Sequence, residues 1–315
     1  MEGKLGVVMD PIAAIDIHKD STFAMLLEAQ RRGWTLFYME QKDLLLRQEE
    51  PWGIMAPLRV KEDPGDWFQL GERRLAPLKA LQVILMRKDP PFDMEYIYTT
   101  YLLERAEAQG TLVVNRPRGL RDVNEKIAIT QFPQCIPPTL VTRSQDHLLA
   151  FLEEQGAIVL KPLETMGGKS VFYLEKGDAN TRVILETMTR FGQRFVMAQR
   201  FIPDIRTTGD KRILLIDGEP VPYALARIPL SGEIRANLAV GGEGKGVALD
   251  DRDRWICQQV GPVMREKGLM FVGLDVIGEW LTEINVTSPT GIRQLDALYG
   301  LNICRQLFDR VEAHL

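Results

Sequence analysis

Cysteine and histidine are scarce, with three of each in 315 residues. Cys135, Cys257 and Cys304 stand far apart, so no disulfide framework is expected and a reducing, cytoplasmic setting fits. No histidine lies near a cysteine in the chain, which argues against a Cys/His zinc site. No apolar run reaches the roughly 18 residues of a membrane span, and residues 5–9 are too short for a signal-peptide core. A basic excess is missing as well. The net charge is −4 and the pI about 5.6, so no nucleic-acid partner is expected. Three common signatures fail. Gly168-Lys169-Ser170 would need glycine at 163 to make a P-loop, and Leu163 stands there. The glycines of 241–246 miss G-x-G-x-x-G because Val247 takes the last position, and no G-x-S-x-G occurs.

What is present is an ordinary globular composition, 45% hydrophobic and 26% charged, in a chain long enough for two or three packed units. Apolar runs at 5–9, 35–39, 83–86 and 112–114 alternate with helical stretches that Ser21 and Asp93 can cap. That pattern predicts a parallel sheet with helices on both faces. Ligands of such sheets sit beyond the carboxyl ends of the strands, where Asp10, Arg87 and Asn115 stand. Residues 48–77, rich in proline and charge, are expected to be irregular loops or edge strands.

A second, α+β unit is expected from about residue 122. It has helices at 123–130, 142–156 and 178–191, and strands at 157–161, 171–174 and 195–202. The last third holds two hairpins, 213–228 with Asp217-Gly218 in the turn and 270–286, helices at 250–267 and 301–314, and a long polar segment from 229 to 246.

The segment 271–290 carries the clearest chemistry. Glu283 and Asn285 alternate onto one face of a strand, and Asp275 lies on the strand before it. A three-residue loop, Gly278 to Trp280, sets Asp275 opposite Glu283; a two-residue loop turns Glu283 to the other face. Two carboxylates and an amide oxygen on one face make a hard oxygen site suited to Mg²⁺, so the three-residue loop is expected. A bare hairpin would alternate polar and apolar residues too. The loop Met166, Gly167, Gly168, Lys169, Ser170 offers successive backbone N–H groups to phosphates, or is a plain turn. Lys126 and Lys161 can meet phosphates or be solvated. Asp210, Lys211 and Arg212 form a charge cluster, while Arg227 sits in an apolar strand and needs a partner.

Seven strings together resemble the bacterial glutathione synthetases, a family of ATP-grasp ligases. They are 86–93 (MRKDPPFD), 124–126 (NEK), 160–162 (LKP), 166–168 (MGG), 209–212 (GDKR), 226–229 (ARIP) and 281–290 (LTEINVTSPT). The likeness runs from residue 4 to about 303, and the first and last strings are the most specific. It implies an ATP-grasp fold preceded by an N-terminal Rossmann-like domain, divided as 1–122 (substrate binding), 123–202 (central lid) and 203–315 (catalytic, with a mobile loop 229–246). By the resemblance, Lys126, Lys161, the 166–170 loop, Gln199, Arg200, Phe201, Ile202, Asp210, Lys211 and Arg212 would hold ATP. Asp275, Glu283 and Asn285 would hold magnesium, with manganese as an alternative. Arg227 and Arg235 would be catalytic. Lys19, Arg87, Arg235, Asn285 and Ser288 would surround the dipeptide substrate. A cytoplasmic homotetramer is implied.

The expected reaction joins γ-glutamylcysteine to glycine through an acyl phosphate, with segment 230–246 as a lid against hydrolysis. Two other readings remain: the same chemistry on a different carboxylate and amine, or a non-catalytic ATP-binding regulator. Two positions depart from the family pattern. The glycine loop usually reads Asp-Gly-Met-Gly-Gly, and here Glu164-Thr165 precede Met166; His18 stands where a basic residue is common.

Overall fold

The computed structural model describes residues 3–165, 167–229 and 243–315. Met166 and Arg235, both expected at the site, lie outside the described residues, as does 230–242 of the expected lid.

The first sheet contains β1 (Lys4–Met9), β2 (Thr35–Met39), β3 (Leu44–Arg47), β4 (Glu50–Val60), β5 (Phe68–Leu70), β6 (Arg74–Pro77), β7 (Val83–Arg87) and β8 (Leu112–Val114). Its order is β3-β4-β2-β1-β7-β8, with β5 and β6 pairing β4. The β2-β1-β7-β8 core is parallel, as expected. Every residue of β7 is buried. Val83 and Leu85 join one hydrophobic core, and Ile84 and Met86 the other. A strand covered on both faces favours apolar residues along its run, here Val83 to Met86, which is why no alternation marks it in the sequence; Arg87, also buried, closes its carboxyl end. Helices α1 (Ser21–Arg31) and α2 (Met94–Ala108) cover the sheet, each capped by an aspartate, Asp20 on Phe23 N and Asp93 on Tyr96 N. Asp20 takes the capping place expected of Ser21.

Residues 48–77 are more regular than expected. They hold the 11-residue strand β4, which pairs antiparallel with β2 and carries three further short strands. Pro51 and Pro57 do not break it, because strand positions whose N–H the ladder does not need tolerate proline.

After the short helix α3 (Pro117–Asp122), a second sheet orders its strands β11-β10-β12-β9. These are β9 (Thr139–Thr142), β10 (Ala157–Pro162), β11 (Phe172–Glu175) and β12 (Val196–Arg200), with α4 (Gln145–Gln155) and α5 (Thr181–Thr189) packed on them. The expected helix at 123–130 is a turn followed by a 3-10 helix, Ile127–Gln131. Asn124 Oδ1 accepts from the N–H groups of Lys126 and Ile127, an alternative to the helical bonds there. Thr142 ends a strand rather than starting a helix; Ser144 caps α4.

The third sheet runs β15-β14-β13-β16-β17, all antiparallel. It holds β13 (Asp210–Ile216), β14 (Glu219–Ile228), β15 (Glu243–Ala248), β16 (Phe271–Ile277) and β17 (Trp280–Asn285), with α6 (Asp251–Glu266), α7 (Ile292–Tyr299) and α8 (Ile303–Ala313). Residues 243–246, expected in the loop, belong to β15. Asp217 and Gly218, at φ 50° and 78°, make the expected two-residue turn between β13 and β14.

The turn between β16 and β17 differs from expectation. Ile277 pairs with Trp280, leaving a two-residue turn, Gly278-Glu279, with Gly278 at φ 56°. A bulge then leaves Thr282 unpaired and shifts the register, so that Asp275 still pairs with Glu283. The first and third sheets share both large cores: Val8 and Met86 pack with Val272 and Ile284, and Leu5 and Leu85 with Phe271 and Leu307. The second sheet keeps a core of its own around Leu148, Leu160, Leu174 and Val196.

Candidate active site

Two adjoining cavities lie where the second sheet faces the third. Both are lined by Gly167 and Glu283. The larger group of lining residues comes from β10, β12 and the turn after it, the glycine loop, the β16–β17 hairpin, the start of β13 and the segment before Ile127: Lys126, Val159, Lys161, Gly167, Gly168, Lys169, Gln199, Arg200, Phe201, Ile202, Ile205, Asp210, Ile277 and Glu283. Its lining includes apolar Val159, Phe201, Ile202, Ile205 and Ile277 as well as cationic Lys126, Lys161 and Lys169. The second cavity is lined by Asp89, Glu125, Arg212, Arg227, Glu283, Asn285, Thr287, Ser288 and Pro289.

Lys161 projects from β10 and donates to Gln199 Oε1 at 2.6 Å. Burial holds its ammonium below the usual lysine range, which makes the charged form costly without an anion nearby. Lys126 is also buried, yet the carboxylates of Glu283, 3.0 Å away, and Glu125 outweigh burial and raise it. Its ammonium also donates to Thr165 O at 2.6 Å, so it bridges the glycine loop and β17. Glu164, at the mouth of that loop, pairs with Arg194.

Four charges alternate onto one side of β13, β14 and β16. Asp275 accepts from Arg212 Nε at 2.5 Å and Nη2 at 2.9 Å, and lies 2.9 Å from Arg227 Nη2. Arg227 also reaches Asp210 at 2.5 Å, which answers its need for a partner in an apolar strand. Asp275 is buried, but its two arginines hold it below the carboxylate range. Asp210 goes the other way, pushed up to about 7 by burial and by the charge on Asp275, although Arg227 opposes. Its Oδ1 is buried with no partner among the described residues.

Glu283 and Asn285 stand beside this cluster. Lys126 approaches Glu283 Oε1, and Asn285 spends its amide nitrogen on Gly273 O at 3.4 Å. Lys126 neutralises the Glu283 charge without enclosing both its oxygens, and the Asn285 carbonyl oxygen is left for another partner. The set is all oxygen and mixed in charge, the chemistry a hard divalent cation takes. No cluster of three or more His, Cys, Asp or Glu suited to a metal occurs among the described residues.

Arg87, at the carboxyl end of β7, is buried and donates to Thr22 Oγ1 at 3.0 Å and Pro289 O at 2.9 Å. No carboxylate lies within ion-pair distance of it among the described residues. It borders a small pocket behind Thr287, and Ser288 lies in the cavity beyond.

Not every expected residue converges. Lys211 points away: alternation on β13 sends it with Ile213 and Leu215 toward α6, where its ammonium meets Asp253 at 2.5 Å and Asp250 at 3.1 Å. Lys19 is 62% exposed, pairs with Asp16 and lines neither cavity. Ser170 is exposed at φ 57° and also lines neither. Arg200 lines the first cavity with its guanidinium 5.4 Å from the Trp280 ring centroid. Sequence reasoning did not single out Glu125, Asp89 or Thr282. All three sit inside strings quoted for the family likeness, and the bulge at Thr282 shows only in the register of the hairpin.

Comparison with known proteins decides the family. The model "Prokaryotic glutathione synthetase, ATP-grasp domain" matches residues 125–300, and its N-terminal companion matches 4–121. The chain belongs to the prokaryotic glutathione synthetase family. A glutathione synthetase of Pseudomonas syringae pv. tomato is 60% identical over 315 residues, covering 100% of this chain and 98% of its own. One from Coxiella burnetii is 57% identical over 312 residues, covering 99% and 97%. Solved structures support the fold. D-cycloserine synthetase DcsG superposes with a TM-score of 0.68 at 15% identity, over 98% of this chain and 99% of that one. A RimK domain ATP-grasp protein of Sphaerobacter thermophilus gives 0.62 at 17%, over 97% and 98%. The architecture is thus ATP-grasp, and the family is one of ATP-dependent ligases.

Proposed function

We propose that the chain ligates γ-glutamylcysteine to glycine, consuming ATP and giving glutathione, ADP and phosphate. The observation that carries this reading is the junction of the two cavities at Glu283, which has a lysine-rich, apolar-walled slot on one side and an arginine- and Ser288-lined cleft on the other.

In this reading adenine lies against Phe201, Ile202, Val159 and Ile277, with Gln199 and the backbone of Arg200 at its edge. Lys126 and Lys161 hold the phosphates as point charges, under Gly167, Gly168 and Lys169; Asp210 borders the same site, and Arg212 lines the adjoining cavity. A phosphate beside Lys161 offsets the burial that disfavours its charged form. Glu283 and Asn285, with Asp275 behind them, would hold magnesium; manganese satisfies the same oxygen set. The metal supplies charge neutralisation on the transferring phosphoryl group.

The dipeptide's glycyl-accepting carboxylate is held near Asn285 and Ser288, with Arg87 at the closed end. Its oxygen attacks the γ-phosphorus and ADP leaves. Arg227 faces the transferred group and stabilises its developing charge. Glycine's amine then attacks the acyl carbon, and phosphate departs with the carboxyl oxygen. The arrangement supports a lid domain at 123–202 between 1–122 and 203–315, since each contains one sheet. A homotetramer and a cytoplasmic location belong to the same proposal on family likeness, and light scattering of the purified chain tests the first.

Purified protein given ATP, Mg²⁺ and both substrates should yield glutathione by mass spectrometry. Equal turnover with unrelated peptides in place of γ-glutamylcysteine would defeat the substrate assignment.

A further inference from the structure

Strand β17 ends at Asn285, and the chain then leaves the sheet. The next five residues carry Ser288 and form much of the second cavity's wall. They have no ladder to hold them, and buried backbone N–H groups need acceptors. The acceptors are side chains from elsewhere. Glu125 Oε1 accepts from Val286 N at 2.8 Å, Thr287 N at 2.9 Å and Thr287 Oγ1 at 2.8 Å. The Glu125 carbonyl accepts from Ile284 N at 2.8 Å. Asn115 donates to Val286 O at 2.7 Å, and Arg87 to Pro289 O.

Glu125 is buried and pairs with no cation within ion-pair distance among the described residues; its neighbour Lys126 turns to Glu283 instead. A buried carboxylate without a cation is costly unless its hydrogen bonds are made, so a residue of this kind at a mere packing position would be better replaced by an apolar one. Here one oxygen gathers three donors, all on two consecutive residues between Asn285 and Ser288.

We propose that Glu125 is a positioning residue for the ligation. It fixes the exit of β17 and so sets Asn285 and Ser288 against the reacting carboxylate, without touching substrate itself. Lys126, the next residue, is held separately, by Glu283 and Thr165 O.

The role separates from general stability by what each substitution leaves. Glu125→Gln keeps an oxygen that accepts all three bonds. Glu125→Asp withdraws that oxygen by one methylene, and Glu125→Ala removes it. The proposal rests on the glutathione synthetase reading for its kinetic arm only. Amide hydrogen exchange at Val286 and Thr287 tests the brace whether or not that reading holds, and wild-type turnover tests the reading alone.

The expected result is faster exchange at both amides in the Asp and Ala variants, with near wild-type protection in Gln. Turnover per folded molecule should fall about 10-fold or more in Asp and Ala, with the KM for γ-glutamylcysteine raised and the Kd for ATP within about twofold. Gln should recover turnover to within about threefold. If Ala fails to fold, Asp carries the comparison. Wild-type exchange and turnover in Asp would overturn the proposal. So would a parallel loss of ATP binding and substrate KM, which marks a stability brace.

Discussion

At the scale of single residues, alternation along β13 separates groups that sit next to each other in sequence. Arg212 turns to Asp275, while Lys211 turns to α6 and neutralises Asp253, whose side chain is fully buried. The run Asp210-Lys211-Arg212 reads as one charge cluster; only the pairing of β13 between β14 and β16 shows that its members serve different faces. The contact of Lys211 with Asp253 is an ion pair by distance rather than an aligned hydrogen bond. Lys211→Ala should cost about 3 kcal/mol by leaving a buried carboxylate uncompensated, with ATP affinity unchanged. Urea unfolding and nucleotide titration check the two halves, and a large loss of affinity at full stability would restore Lys211 to the nucleotide site. Glu283→Gln should do the reverse. The fold survives the loss of one partly exposed charge, while turnover falls by about 10²-fold or more through weaker stabilisation of the transferring phosphoryl group. Near wild-type turnover at ordinary Mg²⁺ would remove Glu283 from the proposed metal set.

At the scale of elements, strands buried on both faces and the aspartate-capped helices were legible within a residue or two, because apolar runs and caps are local signals; the start of α4, read at Thr142 and found at Gln145 after Ser144, was three residues off. β4 was not legible. Its prolines and charges read as irregular loops or edge strands; β5 and β6 are such edge strands, while β4 lies inside the sheet and owes its regularity to pairing with β2, β3, β5 and β6. The β16–β17 hairpin shows the same limit. The need to bring Asp275 opposite Glu283 was legible, but the device was a bulge at Thr282 rather than a longer turn. Local turn chemistry at Gly278 permits either. The joint of α7 and α8 carries a pH signal. Asp296 accepts from Ile303 N at 3.1 Å, and burial pushes it up to about 6 from its ordinary 3.8. The folded state therefore binds more protons than the unfolded state between those values. Stability is lost as pH rises through that window, and the penalty is complete above it. Asp296→Asn keeps the acceptor oxygen and removes the charge. Its Tm should rise relative to wild type at about pH 7.5 and not at about pH 4. An equal change at both would show that Asp296 titrates normally.

At the scale of the whole molecule, the first and third sheets are joined through polar ties as well as shared cores. Asn115, at the end of β8, donates to Phe271 O and Val286 O at 2.7 Å and accepts from Phe271 N at 2.9 Å. Its place at the carboxyl end of a parallel strand was legible; its partners, more than 150 residues away, were not. Asn115→Leu orphans three buried backbone groups and should cost about 3 kcal/mol, read as a lower urea midpoint for the whole cooperative transition. An unchanged midpoint would mean the two sheets are held by apolar packing alone. The proposed chemistry at the junction of the cavities has its own direct test. γ-Glutamylcysteine labelled with ¹⁸O in the cysteinyl carboxylate is turned over with ATP, Mg²⁺ and glycine, and the released phosphate is weighed by mass spectrometry. Attack of that carboxylate on the γ-phosphorus, followed by displacement by the amine, predicts one ¹⁸O atom in each phosphate formed. Glutathione formed alongside unlabelled phosphate would contradict the acyl phosphate and the roles assigned to Arg227 and Glu283 with it.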